Sequence, residues 1–117
     1  MKLIASFKYA LNGIWIGFSR ERNMKIHLLA LIVMSALGFG LQISKSEWII
    51  QLMLFGLVIC TELFNTAIEL ITDSIYKTRD VKAKAIKDVS AGAVLVMATS
   101  AAAVGLIIYL PKIYELI

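Results

Sequence analysis

Thr61-Glu62-Leu63-Phe64-Asn65-Thr66-Ala67-Ile68-Glu69 closes an apolar run that begins at Trp48. Such a run is long enough to cross a bilayer, which takes about 20 residues. Its end nevertheless carries two glutamates and an asparagine. The spacing 62, 65, 69 is i, i+3, i+7, so all three project from one side of a helix. A charged group deep in a membrane helix costs about 2.5–3.5 kcal/mol on the insertion scale. A metal, a cationic partner or protonation must offset that cost. Glu62, Asn65 and Glu69 are therefore read as a site.

The chain around this stretch reads as an integral membrane protein. Of its 117 residues, 60% are hydrophobic, above the roughly 45–50% of a soluble domain. The length allows one domain, residues 1–117. Three segments can span, at about 26–43, 48–70 and 90–110, and the expected class is all-α. The first starts too late for a cleaved signal peptide, and no small-residue cleavage site follows it. Residues 2–18 carry Leu3, Ile4, Phe7, Leu11, Ile14 and Trp15 at helical spacing. That segment is too short and too polar to span, so an amphipathic helix on the membrane surface is expected.

Charge sets the orientation. Ten of the twelve Lys and Arg residues lie either before the first span or between the second and third. Only Lys45 and Lys112 fall on the other side. The positive-inside rule places the N-terminus and the 72–89 segment in the cytoplasm, and the 44–47 turn and the C-terminus outside. Both basic clusters flank spans, so the net charge of +4 does not point to nucleic acid. Trp48 is read as an interface anchor. From Trp48 to Glu62 is about 21 Å of helix, which puts Glu62 past the midplane toward the cytoplasm and Glu69 near the interface.

Residues 74–89 read as a charged loop, partly helical through 82–88. The small residues of span three, among them Gly92, Ala98, Ala101 and Gly105, suit close helix packing, and Pro111 is expected to end that helix. Cys60 is the sole cysteine, which excludes an internal disulfide; it reads as a small packing residue. His27 fits an interfacial histidine, a phosphate contact or a proton carrier.

The polar groups expected on the cytoplasmic side are Glu21, Glu62, Asn65, Glu69, Lys87 and Asp88. The four acids suit a hard cation such as Mg²⁺, and Lys87 suits a phosphate. Together they suggest phosphoryl transfer to a lipid alcohol. No G-x-x-x-x-G-K-[ST] stretch and no Gly-rich kinase loop is present. A polar packing network, a proton-coupled transporter using the intramembrane glutamates, and a small channel subunit are the other readings. A transporter would expose its acids to both sides in turn, often through inverted repeats. Here the acids cluster on one side and no repeat is visible.

Glu62-Leu63-Phe64-Asn65-Thr66-Ala67-Ile68-Glu69 resembles the E-L-L-N-(T/S)-A-I-E signature of the bacterial diacylglycerol and undecaprenol kinases. Residues 85–95, Ala-Ile-Lys-Asp-Val-Ser-Ala-Gly-Ala-Val-Leu, are similar to their A-x-K-D-x-x-(A/S)-(G/A)-A-V-L segment. Glu21-Arg22-Asn23-Met24-Lys25-Ile26-His27 resembles the E-R-N-x-x-x-H stretch of the shorter, undecaprenol-type members. Ala91 and His27 stand where diacylglycerol-specific members have a serine and a glutamate, and both favour the undecaprenol-type subgroup.

The resemblance implies a homotrimer in the bacterial inner membrane, with active sites at subunit boundaries near the cytoplasmic interface. It implies transfer of the γ-phosphate of MgATP to undecaprenol or diacylglycerol, giving undecaprenyl phosphate or phosphatidate. By the same resemblance, Glu62 would be the general base. Glu21 and Glu69 would hold Mg²⁺ against the ATP phosphates, and Asn65 would bond near the transferred phosphate. Lys87 would neutralise phosphate charge, Asp88 would support the nucleotide, and Tyr9 would contact ATP.

Overall fold

The computed structural model describes residues 2–117. It contains four helices: α1 (Lys2–Arg20), α2 (Arg22–Gly40), α3 (Lys45–Ile75) and α4 (Val81–Leu116). Among the described residues there is no strand. Helices α2, α3 and α4 are each long and apolar enough to cross a membrane.

Helix α3 is the centre of the fold. Its residues 51, 55, 58, 62, 65, 69 and 72 alternate in steps of four and three and are buried or half-buried. Residues 87, 90, 94, 97, 101, 104 and 108 of α4 follow the same rhythm and are likewise covered. Two stripes of this kind pack as a shallow, antiparallel, coiled-coil-like pair. Polar pairs tie the two helices along their length. Glu47 meets Lys112 at 3.1 Å, Gln51 meets Tyr109, Asn65 meets Ser90 at 2.7 Å and Asp73 meets Lys87. The Tyr109 hydroxyl also reaches the Met34 carbonyl of α2 at 3.0 Å, so three helices join at that level.

The α2–α3 turn is set by local chemistry. Ile43 N–H donates to Gly38 O at 3.1 Å and Gln42 N–H to Phe39 O at 3.3 Å, the two bonds of a Schellman end. Gln42 takes the left-handed conformation this requires, at φ 52°. A Cβ on Gly38 would lie 3.0 Å from both Ile43 and Trp48, so the bare backbone lets them close over the turn without shifting. Ser44 then starts α3 with a capping box: Glu47 N–H donates to Ser44 Oγ at 3.2 Å and Ser44 N–H to Glu47 Oε1 at 2.9 Å. A side chain at φ > 0 costs about 1–2 kcal/mol. Gln42→Gly is therefore expected to raise stability by about 1 kcal/mol, read as a higher unfolding midpoint in detergent.

Three expectations are corrected. Pro111 does not end the last helix; α4 continues through it to Leu116. A proline lacks the N–H for the carbonyl four residues back, but Tyr109 and Lys112 on either side are anchored to α3, and these contacts hold the last turns in place. Cys60 is exposed rather than buried, because it lies on the α3 face turned away from α4. The charged loop is also shorter than 74–89. The non-helical link covers 76–80, and Asp80 starts α4 by accepting from Lys82 N–H at 2.7 Å.

Candidate active site

Glu62 is fully enclosed, with 0% of its surface exposed. Neither carboxylate oxygen has a hydrogen-bond partner. A buried carboxylate is normally bonded or paired, so one left bare in a membrane helix makes Glu62 a candidate functional group. Its nearest ionisable neighbour is His27 of α2, with Nε2 3.6 Å from Oε2. That is longer than a hydrogen bond.

One turn further along α3, Asn65 is held from both ends. Its Oδ1 accepts from Ser90 Oγ of α4 at 2.7 Å, and its Nδ2 donates to Glu69 Oε1 at 3.2 Å. The two bonds fix which way the amide faces and aim the Glu69 carboxylate. Thr66 caps the same turn by donating to Glu62 O at 3.1 Å.

Glu21 arrives from the break between α1 and α2. Its backbone is extended there, and its N–H donates to Gly17 O at 3.0 Å. Gly17 is what brings this break close. A Cβ at that position would lie 2.5 Å from Leu63 Cδ2, so a larger residue would require the Leu63 side chain to move aside. The Glu21 side chain is within reach of Glu69 and Thr66. Burial, and then the adjacent Glu69 carboxylate, raise the Glu21 carboxyl above its ordinary value, while the Thr66 hydroxyl acts in the opposite direction.

The chain therefore brings together Glu21, Glu62, Asn65 and Glu69. Lys87 stands at the edge, bonded to Asp73 and close enough to feel the Glu69 charge. Asp88 faces outward and pairs with Lys84 at 2.6 Å. Lys87 and Asp88 share an open basin with Asp73, Tyr76, Lys77 and Arg79. Tyr9 is exposed on α1 and outside the cluster. Ser90 and Thr66 join the site without having been singled out as site residues. Both lie inside family-like segments, Thr66 in 62–69 and Ser90 in 85–95, and that is their signal.

Among the described residues no group of three or more His, Cys, Asp and Glu side chains is disposed to hold a metal. Two converging carboxylates, Glu21 and Glu69, are nonetheless what Mg²⁺ requires. That ion is commonly held by one or two carboxylates, with substrate phosphates and waters completing the shell. Burial first, and then the neighbouring Glu69 carboxylate, hold the Glu21 carboxyl high, and a bound cation would relieve the repulsive part.

Comparison with known proteins identifies the family. The profile of the family described as prokaryotic diacylglycerol kinase matches residues 8–109. An undecaprenol kinase of Bacillus subtilis (strain 168) is 40% identical over 112 residues, covering 96% of this chain and 91% of that protein. A diacylglycerol kinase of Synechocystis sp. is 32% identical over 115 residues, covering 97% of this chain and 66% of its own length. The chain, with the carboxylate-rich end of its second span, belongs to the prokaryotic diacylglycerol kinase family.

Proposed function

We propose that this chain, a lipid kinase by family, transfers the γ-phosphate of MgATP to the hydroxyl of undecaprenol, giving undecaprenyl phosphate. The observation that carries the reading is the bare, enclosed Glu62 carboxylate beside the Glu21–Asn65–Glu69 cluster. Undecaprenol is preferred over diacylglycerol because His27 and Ala91 match the undecaprenol-type pattern. The 40% identity to an undecaprenol kinase across 91% of its length supports the same choice.

In this mechanism Glu62 takes the proton from the lipid hydroxyl. Being dry and unpartnered, it loses no hydrogen bond in doing so. Asn65 keeps Glu69 aimed and lies beside the transferred phosphate. Lys87 leaves Asp73 to neutralise phosphate charge, and Asp88 and Tyr9 support the nucleotide. Mg²⁺, held by Glu21 and Glu69, would neutralise the charge that builds on the phosphoryl oxygens. The remaining catalysis is positioning in a site closed to water.

The reading includes a homotrimer in the bacterial inner membrane, with the N-terminus cytoplasmic, the C-terminus outside and α1 lying on the cytoplasmic surface. Its support is the uncovered face of α3. Ile50, Met53, Leu57, Cys60, Phe64, Ala67 and Ile71 fall in steps of three and four and are all exposed in the subunit. This is a heptad seam without a partner. The uncovered Leu3, Ile4, Phe7 and Leu11 of α1 support its place on lipid.

A rotationally symmetric trimer places every Cys60 at one level of the seam. Mild oxidation in micelles is expected to yield covalently linked dimers, lost in Cys60→Ser. Monomer alone on a denaturing gel would contradict this seam. The activity itself is tested with labelled ATP, Mg²⁺ and undecaprenol in micelles. Labelled lipid is expected, and its formation stops when the metal is chelated. Unlabelled lipid from folded protein with Mg²⁺ present would contradict the proposal.

A further inference from the structure

A base that takes a proton at every turnover must lose it before the next. Glu62 has no route of its own, since its side chain is 1% exposed and its oxygens touch no other donor or acceptor. Glu69 and Glu21, whose charges act on or alongside it, are committed to the cation. His27 is different. Its Nε2 lies 3.6 Å from Glu62 Oε2, and its side chain keeps 17% exposure. Nε2 is itself buried without a partner. Two orphaned polar atoms thus face each other across a gap too long for a bond. Catalytic contacts are often long before substrate binds, and tighten with it.

We propose that His27 is the proton outlet of Glu62, an inference that rests on the kinase reading above. The lipid O–H bond breaks as the new O–P bond forms and ADP departs, and the proton moves to Glu62 Oε2. Neutral His27 then accepts it at Nε2, which restores the Glu62 carboxylate and leaves an imidazolium. The imidazolium releases its Nδ1 proton to water, and water-mediated exchange of the remaining proton from Nε2 to Nδ1 resets Nε2 for the next turnover. His27 acts through Glu62 and touches no phosphate.

The surroundings suit this role. Glu62 is the charged group facing His27 from α3, with Glu69 and Glu21 behind it. From α1 the residue packed here is Gly17, against Leu63 and Met24. From α4 the wall is uncharged: Ala98, Ala101 and Ala102 line an apolar cavity of about 460 Å³ that His27 borders. His27 Nε2 is thus the acceptor that faces the Glu62 carboxylate, and the cavity has room for a small base brought from outside.

The test compares parent, Glu62→Gln, His27→Gln and His27→Ala proteins in undecaprenol micelles, with thermal melts confirming that each is folded. In rapid-quench experiments His27→Gln is expected to give a normal first turnover, one labelled lipid per site. Steady turnover then runs about tenfold slower, with the KM for ATP unchanged. His27→Ala should regain turnover with added imidazole, in proportion to its free-base fraction, and Glu62→Gln should not. Parent-like steady turnover in His27→Gln would overturn the outlet. So would a first turnover slowed as much as the rest, or a folded His27→Ala that imidazole does not restore. Should His27→Ala fail to fold, His27→Gln decides alone. An inactive parent, or an active Glu62→Gln, would instead remove Glu62 as the base and the outlet with it.

Discussion

Glu62→Gln is expected to transfer phosphate about 10²–10⁴-fold more slowly than the parent, the range associated with a positioned general base. The amide is nearly isosteric and removes only the ability to take a proton. Stability should not fall, because the carboxylate oxygens have no hydrogen bond to lose. An unpaired buried charge is itself a cost. The protein should melt at or above the parent temperature and bind MgATP as before. A loss of less than about tenfold would mean that Glu62 is structural.

Asn65→Leu should be nearly as damaging, for another reason. The side chain joins α4 to the cation site through Ser90 on one side and Glu69 on the other. Leucine fills the space and breaks both bonds. Ser90, only 6% exposed, is left with an unmet hydroxyl, which costs about 1–3 kcal/mol. Glu69 loses the group that aims it, and removing such a support lowers metal affinity or activity by about 10–100-fold. The expected result is a higher Mg²⁺ requirement together with a lower melting temperature. Loss of stability with an unchanged Mg²⁺ titration would confine Asn65 to packing.

Much of the architecture is legible in the chain because it is written at short range. Three apolar runs and the distribution of twelve basic residues predict three spans, and the spacing 62, 65, 69 places the polar groups on one side of a helix. The partners of those groups are not written locally. Asn65 meets Ser90 only because a five-residue link over 76–80 sets the antiparallel register of α3 on α4. No spacing within either helix reveals that register. Pro111 misleads for the same reason, since the contacts that carry α4 past it come from Glu47 and Gln51, some sixty residues earlier. Cys60 reads as a core residue by type, but its heptad position turns it away from α4. Tyr9 and Asp88 rest on resemblance to the family, and no contact within the subunit draws them to the carboxylates.

The most direct test offers undecaprenol and diacylglycerol together, in equal amounts in one micelle population, with labelled ATP and Mg²⁺. Separating the lipids then shows where the label has gone. Most of the label on undecaprenyl phosphate, and at least about 10²-fold slower labelling of either lipid in Glu62→Gln, is the predicted result. Label chiefly on phosphatidate would contradict the assignment of the acceptor, and label on neither lipid from folded protein would contradict the mechanism built on Glu62.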